Sequence, residues 1–165
     1  TGSDWEMIFS NRALFFLFLL ATPTQSLEIL TASGWASLEI INREGETVII
    51  KAEIADTEKL RILGLAARES LGLNEGFLLD FGQDIRPRMW MKNTRFSLDM
   101  LFIDSFGQIR FIYPKAVPFS LRIISPDVKV RYVLEITAGQ TGYLGIKVGD
   151  EVRMLPSNSP TRGLN

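Results

Sequence analysis

Apolar and polar positions along the chain change period several times, and each change marks an element. The densest apolar stretch comes first: residues 13–21 are nine uninterrupted apolar residues. Met7 and Arg12 precede them, and Pro23 and Thr24-Gln25-Ser26 follow, with small residues at both ends of a cleavage triplet. A basic start, a short apolar middle and a small-residue end is the layout of a secretory signal peptide. As a membrane anchor the run falls well short of the roughly 20 residues a spanning helix needs. A core helix would not carry Arg12 and Pro23 on its flanks. Residues 1–26 are therefore read as a start region with a signal peptide, and the exported chain is expected to begin near Leu27.

Beyond that point the pattern turns to strands. Residues 27–46 read as a mixed lead-in with a strand-like stretch at 37–41. Residues 47–55 are rich in β-branched and apolar side chains, which predicts a strand. Asp56 stands where a helix N-cap belongs, and Leu60, Leu63 and Ala67 follow at helical spacing, so residues 57–67 are predicted as one helix crossing a sheet. Gly64 interrupts it and predicts close approach to a neighbouring backbone. Short strand-like runs follow at 76–81, 86–92, 98–104 and 108–113, with Asp104–Gly107 as a tight hairpin turn. Three prolines between 114 and 129 predict a long connection, followed by strands at 130–137 and 151–155. The expectation is a mainly β (α+β) fold: a compact antiparallel β-sandwich or partly open barrel of about seven strands with one crossing helix. A single domain is expected over 47–155, with a frayed tail at 156–165.

Composition narrows the chemistry. The 165 residues include no His and no Cys, which excludes Ser-His-Asp and Cys-His catalysis, disulfides, and His- or Cys-ligated metals. Without Cys after the apolar run, the chain is not a lipid-modified lipoprotein. A net charge of −1 argues against a protein whose main task is coating nucleic acid. No phosphate-binding glycine loop or dinucleotide fingerprint appears. Asp104–Gly107 lacks the further oxygen ligands of a calcium loop. No cofactor and no metal are expected.

Residues 53–81 read EIADTEKLRILGLAARESLGLNEGFLLDF, then WMKNTRFSLDMLFID spans 90–104, YVLEITAG 132–139 and GIKVGDEV 145–152. In order and spacing these stretches resemble the bacterial and archaeal "domain of unknown function 192" family, over roughly residues 47–155. Ser97 stands where that family usually has Pro, and Ala66 and Phe77 where Met is common. The resemblance implies a compact mainly-β domain, often exported or membrane-tethered, with no established activity.

Candidate functional residues lie around the Trp-Met-Lys-Asn motif. In an extended segment alternate residues share a face, so Arg86, Arg88, Trp90 and Lys92 would point one way and Met89 and Met91 into the core. Three cations around an indole suit an anionic or sugar-like ligand. Against this stands the packing reading, since Trp is mostly buried in folded proteins. Asn93 would contact ligand or shape the turn that follows, and Arg68 is placed near the same face. Asp99 and Glu135 each sit in an apolar strand, where a carboxylate is costly to bury unless paired. Arg61, Arg68 and Lys92 are the candidate partners of Asp99 in a structural ion pair, and an Arg of the helix, Arg61 or Arg68, is the candidate partner of Glu135. Alternatively, Asp99 and Glu135 form a carboxylate pair for glycoside cleavage. The apolar connection at 114–129 offers a third surface, for a protein partner. The leading expectation is an exported binding or accessory module of the cell envelope, periplasmic or extracellular. It would bind an anionic or sugar-like molecule or an envelope protein, without nucleic acid, and touch membrane only through an uncleaved signal segment. A polysaccharide hydrolase is the alternative.

Overall fold

The computed structural model describes residues 34–156. The signal peptide expected within residues 1–26 and the tail beyond residue 156 lie outside the described residues. Seven strands form one sheet: β1 (Gly34–Ile41), β2 (Thr47–Ala55), β3 (Glu75–Ile85), β4 (Leu98–Ile103), β5 (Ile109–Ala116), β6 (Val130–Thr137) and β7 (Glu151–Met154). Two short helices accompany them, α1 (Glu58–Leu63) and α2 (Gln140–Tyr143). The strand order is β5-β4-β6-β3-β2-β1-β7. The fold is thus mainly β, as the periodicity predicted. The sheet is mixed, not wholly antiparallel: β2 and β3 run parallel, and a parallel pair needs a crossover connection, which α1 and its flanking loops supply.

The sheet curls until its outer strands meet. Ile109 N–H donates to Asp150 O at 2.9 Å, Gly149 N–H to Ile109 O at 2.8 Å, and Val152 N–H to Gly107 O at 2.7 Å. Gly107 is required there twice over. Its φ is +85°, and a Cβ would lie 2.4 Å from Val152 O. The result is a half-barrel with both sheet faces apolar, so that every residue of β4 is buried. On the inner face Leu38, Ile50, Leu101, Leu134 and Ile136 pack together. On the outer face Phe77, Leu79, Met100, Phe102 and Val133 pack under Leu60 and Leu65 around α1, and under Met89, Met91 and Ile124.

Several local expectations change. The lead-in contains β1, which pairs with both β2 and β7, so the domain reaches back to Gly34. The helix is only six residues long because Gly64, at φ 50°, ends it, its N–H donating to Leu60 O at 2.9 Å. A Cβ at Gly64 would meet nothing nearer than Arg61 O at 3.7 Å, so backbone conformation and not close approach explains the glycine. The N-cap is Thr57, one residue after the expected Asp56; its Oγ1 accepts from Leu60 N–H at 3.3 Å. Residues 86–92 are extended yet join no strand ladder. Their one bridge is Met89 with Ile124, each N–H donating to the other's carbonyl at 2.9 Å. Among the described residues no helix is long and apolar enough to cross a membrane.

Candidate functional site

The 86–94 segment crosses the outer face of the sheet, with strict alternation from Arg86 to Lys92. Arg86, Arg88, Trp90 and Lys92 are exposed, while Pro87, Met89 and Met91 are buried. Between this segment, α1 and β3 opens a cavity of about 360 Å³. Leu65, Leu79 and Met89 form its apolar wall; Arg88, Trp90 and Lys92 stand at its rim, with Glu58, Arg61 and Thr94 also lining it. Trp90 is 48% exposed, with Lys92 Nζ 5.5 Å from its ring centroid. Its exposure sets aside the packing reading. Neither Arg88 nor Lys92 has a salt bridge or side-chain hydrogen bond among the described residues.

Glu135 is the buried carboxyl of this cavity, which the buried Thr94 also lines. It lies on β6 opposite Phe77 of β3 and Met100 of β4, so its cross-strand neighbours offer no charge and no stronger polar group than a thioether. The residue is 5% exposed and has no hydrogen-bond or ion-pair partner among the described residues. Every fully enclosed side-chain oxygen and nitrogen in the described structure does have a partner. The Glu135 oxygens must therefore reach the cavity surface. Burial pushes its carboxyl up to about 8, so near neutral pH it is the uncharged acid, able to donate its O–H.

The expected ion pair of Asp99 or Glu135 with Arg61 does not form. Arg61 instead clamps α1 to β3, its Nη1 donating to Asp56 O and Asp80 O at 2.6 Å each, with the guanidinium 5.4 Å from the Phe81 ring centroid. The helix-side ion pair that does exist joins Arg68 to the buried Glu53, which takes Arg68 away from the cavity. Arg86 also stands apart, bonded through Nε to Asp127 at 2.9 Å. Asn93 adopts φ 62° in the turn after Lys92 and does not line the cavity.

Asp99 faces the opposite side of the sheet. Its register partner on β6 is Ile136, one position from Glu135, and neighbouring strand positions point to opposite faces. The two carboxyls therefore cannot work on one bond as a glycosidase pair. Asp99 is fully enclosed and fully bonded. Oδ1 accepts from Lys115 N–H at 2.9 Å, and Oδ2 from Gly139 N–H at 2.9 Å, Thr141 N–H at 3.1 Å and the Thr141 hydroxyl at 2.6 Å. Burial alone would raise its carboxyl; the Thr141 hydroxyl and the backbone N–H groups outweigh that and hold it below its ordinary value. It ties the β6–α2 turn and the end of β5 to β4. Among the described residues no group of three or more Asp, Glu, His or Cys could hold a metal ion.

Of the residues singled out in the sequence, Arg61, Arg88, Trp90 and Lys92 line the cavity, and Glu135 does so as an unpaired carboxyl where an ion pair was expected. Sequence reasoning missed Leu65, Leu79, Glu58 and Thr94. Thr94 is buried; its N–H donates to Met91 O at 3.1 Å within the expected turn, and its carbonyl accepts from Phe119 N–H at 3.0 Å, a bond to a distant loop that no local pattern announces.

The fold and cavity define a small half-barrel domain with a polar-rimmed pocket on its outer face. The chain belongs to the family described as domain of unknown function 192, "Uncharacterized ACR", whose profile matches residues 39–154. It is similar to a protein of Sinorhizobium meliloti 1021, whose solved structure is described as a "putative transcription regulator". The identity is 39%, the TM-score 0.73, and the match covers 74% of this chain and 95% of that one. It is also similar to a protein of unknown function from Novosphingobium aromaticivorans DSM 12444, at 28% identity and TM-score 0.69, covering 72% of this chain and 84% of that one. No curated protein matches the chain.

Proposed function

We propose that this domain is a ligand-binding module of the cell envelope whose outer-face cavity takes a small sugar-like molecule carrying an anionic group. The observation that carries the reading is Glu135, a buried carboxyl without a protein partner that opens onto a cavity rimmed by two unpaired cations and an indole. Buried polar groups are nearly always bonded, so an unbonded one in a cavity invites a partner from outside. The protonated carboxyl would donate to a ligand hydroxyl or ring oxygen. Arg88 and Lys92 would face the anionic substituent, and Trp90 would cover the ring. The envelope address rests on the signal-like pattern of residues 7–26. A binding role needs no second carboxylate or nucleophile beside Glu135.

The test is a thermal-shift panel of uronic acids, sugar phosphates and their neutral counterparts. A ligand present at about 100 times its dissociation constant adds roughly 2.7 kcal/mol to the folded state. Stabilisation by the anionic sugars, reduced in Trp90→Ala and Arg88→Ala, is the expected result. No response to any of them, or a response in both variants as large as in the unmutated protein, rejects the reading.

A further inference from the structure

Beyond the cavity, a series of exposed apolar side chains lies in the loop after β5. Every second residue from 117 to 123 is apolar and turned to solvent: Val117 is 66% exposed, Phe119 59%, Leu121 67% and Ile123 37%. Single exposed apolar residues are ordinary, but a contiguous series marks a contact surface. The loop is held in place. Met91 N–H donates to Ser120 O at 3.0 Å and Phe119 N–H to Thr94 O at 3.0 Å, while Met89 and Ile124 are bridged. Phe119 has φ 59°, an uncommon backbone conformation for a bulky residue, and the bonded segment fixes it there with its ring outward. The loop runs beside the segment that carries half-exposed Trp90.

The two segments that form this surface carry charge of one sign, while exposed acids stand beside them at Asp127, paired with Arg86, and at Glu58 across the cavity. Residues 86–98 and 114–126 contain six Lys or Arg and no Asp or Glu, in a chain of net charge −1. Only Arg86 is salt-bridged; Arg88, Lys92, Arg95, Lys115 and Arg122 are exposed and have no ion pair among the described residues. We propose that the 117–123 loop, with Trp90 and the surrounding cations, docks peripherally on an anionic lipid surface. The aliphatic tips distinguish this occupant from nucleic acid, whose phosphates and base faces give Val117 and Leu121 nothing apolar to enter. Hydrocarbon at the acyl boundary accepts them, anionic headgroups accept the cations, and indole favours the interface between the two. The proposal shares Trp90, Arg88 and Lys92 with the cavity rim but rests on the exposed 117–123 loop, and Arg95 and Arg122 lie outside the cavity lining.

The absence of Cys from the chain allows site-specific labelling. In the full chain, Leu121→Cys carries an environment-sensitive fluorophore, and Phe106→Cys carries it as the control. Phe106 is 89% exposed at the far end of β5, about 25 Å from the loop at strand rise. A tether through the amino-terminal apolar run would bind vesicles without burying residue 121. With equimolar phosphatidylglycerol and phosphatidylcholine vesicles, the label at 121 should shift to the blue and the label at 106 should not. Each cation near an anionic surface multiplies partitioning about five-fold. The paired change Arg95→Glu and Arg122→Glu should then weaken it at least about 25-fold, and high salt should weaken the unmutated protein in the same direction. No shift at 121 overturns the proposal, as does an equal shift at 106 or indifference to both charge reversal and salt. A shift at 121 produced by single-stranded DNA or polyglutamate, but not by vesicles, overturns it in favour of a nucleic acid or an acidic protein.

Discussion

Asp99 and Glu135 lie on adjacent strands of one sheet, a single register position apart, and both are buried. Asp99 points to the inner face, where the ends of β5 and β6 bring three backbone N–H groups and a hydroxyl onto its two oxygens. Glu135 points to the outer face, where Phe77 and Met100 flank it and nothing in the chain bonds to it. The same chemical group, with near-equal burial, is an anchor in one place and an open valence in the other. What separates them is the supply of donors. A buried carboxylate that is fully bonded fixes structure, and one left unbonded beside a cavity is available to a ligand.

The comparison can be broken most forcefully at Asp99. Asp99→Ala would leave the N–H groups of Lys115, Gly139 and Thr141 without their acceptor, so unfolding in urea should show a loss of about 3–5 kcal/mol. A loss below about 1 kcal/mol would contradict the anchor role.

Glu135→Gln should have the opposite sign. The folded-state value is raised to about 8 from the ordinary 4.5, so between these limits the native state holds a proton that the unfolded chain has released. Stability of the unmutated protein should fall as pH rises from about 4.5 to about 8 and then level off. The Gln variant should lack this slope and exceed the parent above pH 8, by an amount on the order of several kcal/mol. Asp99 acts at the other end of the scale. Its value is lowered from 3.8, so its contribution is complete above that pH and is lost as pH falls through the folded value. Matching urea series across pH would show both limbs, and the absence of any slope between about pH 4.5 and 8 would remove the contrast.

Smaller effects belong to the rim. Trp90→Ala should change stability by no more than about 1 kcal/mol, because the ring is half exposed. It should weaken ligand binding roughly five- to thirty-fold by calorimetry. Unfolding on this substitution would return Trp90 to the core. Arg88→Ala should leave stability within about 0.5 kcal/mol and lower affinity for anionic sugars while sparing neutral ones.

Much of this arrangement is legible in the residue pattern. The β-branched runs fix β2 and β6 to the residue, and the alternation over 86–92 places each side chain on its correct side. The strand expected from that alternation is absent because the segment lies over the sheet face, so the same period arises from one-sided packing. Pro87 would also give a ladder no N–H. Strand direction has no signature in a period of two, and so the parallel β2–β3 pair could not be read. Partners distant in sequence were equally hidden. Arg68 could have served Asp99 or a ligand, and only the crossover places it against Glu53. Glu135 stood out as a charge in an apolar strand, but its lack of a partner is a property of the packed face and not of the strand.

The most direct test of the central claim is a carbon-13 NMR titration of the Glu135 side-chain carboxyl, assigned by comparison with Glu135→Gln. A midpoint near 8, which moves when an anionic sugar enters the cavity, is the result expected for an unpaired buried acid. A midpoint near 4.5, alongside the exposed glutamates, would mean that Glu135 is hydrated or partnered and would remove the contrast with Asp99.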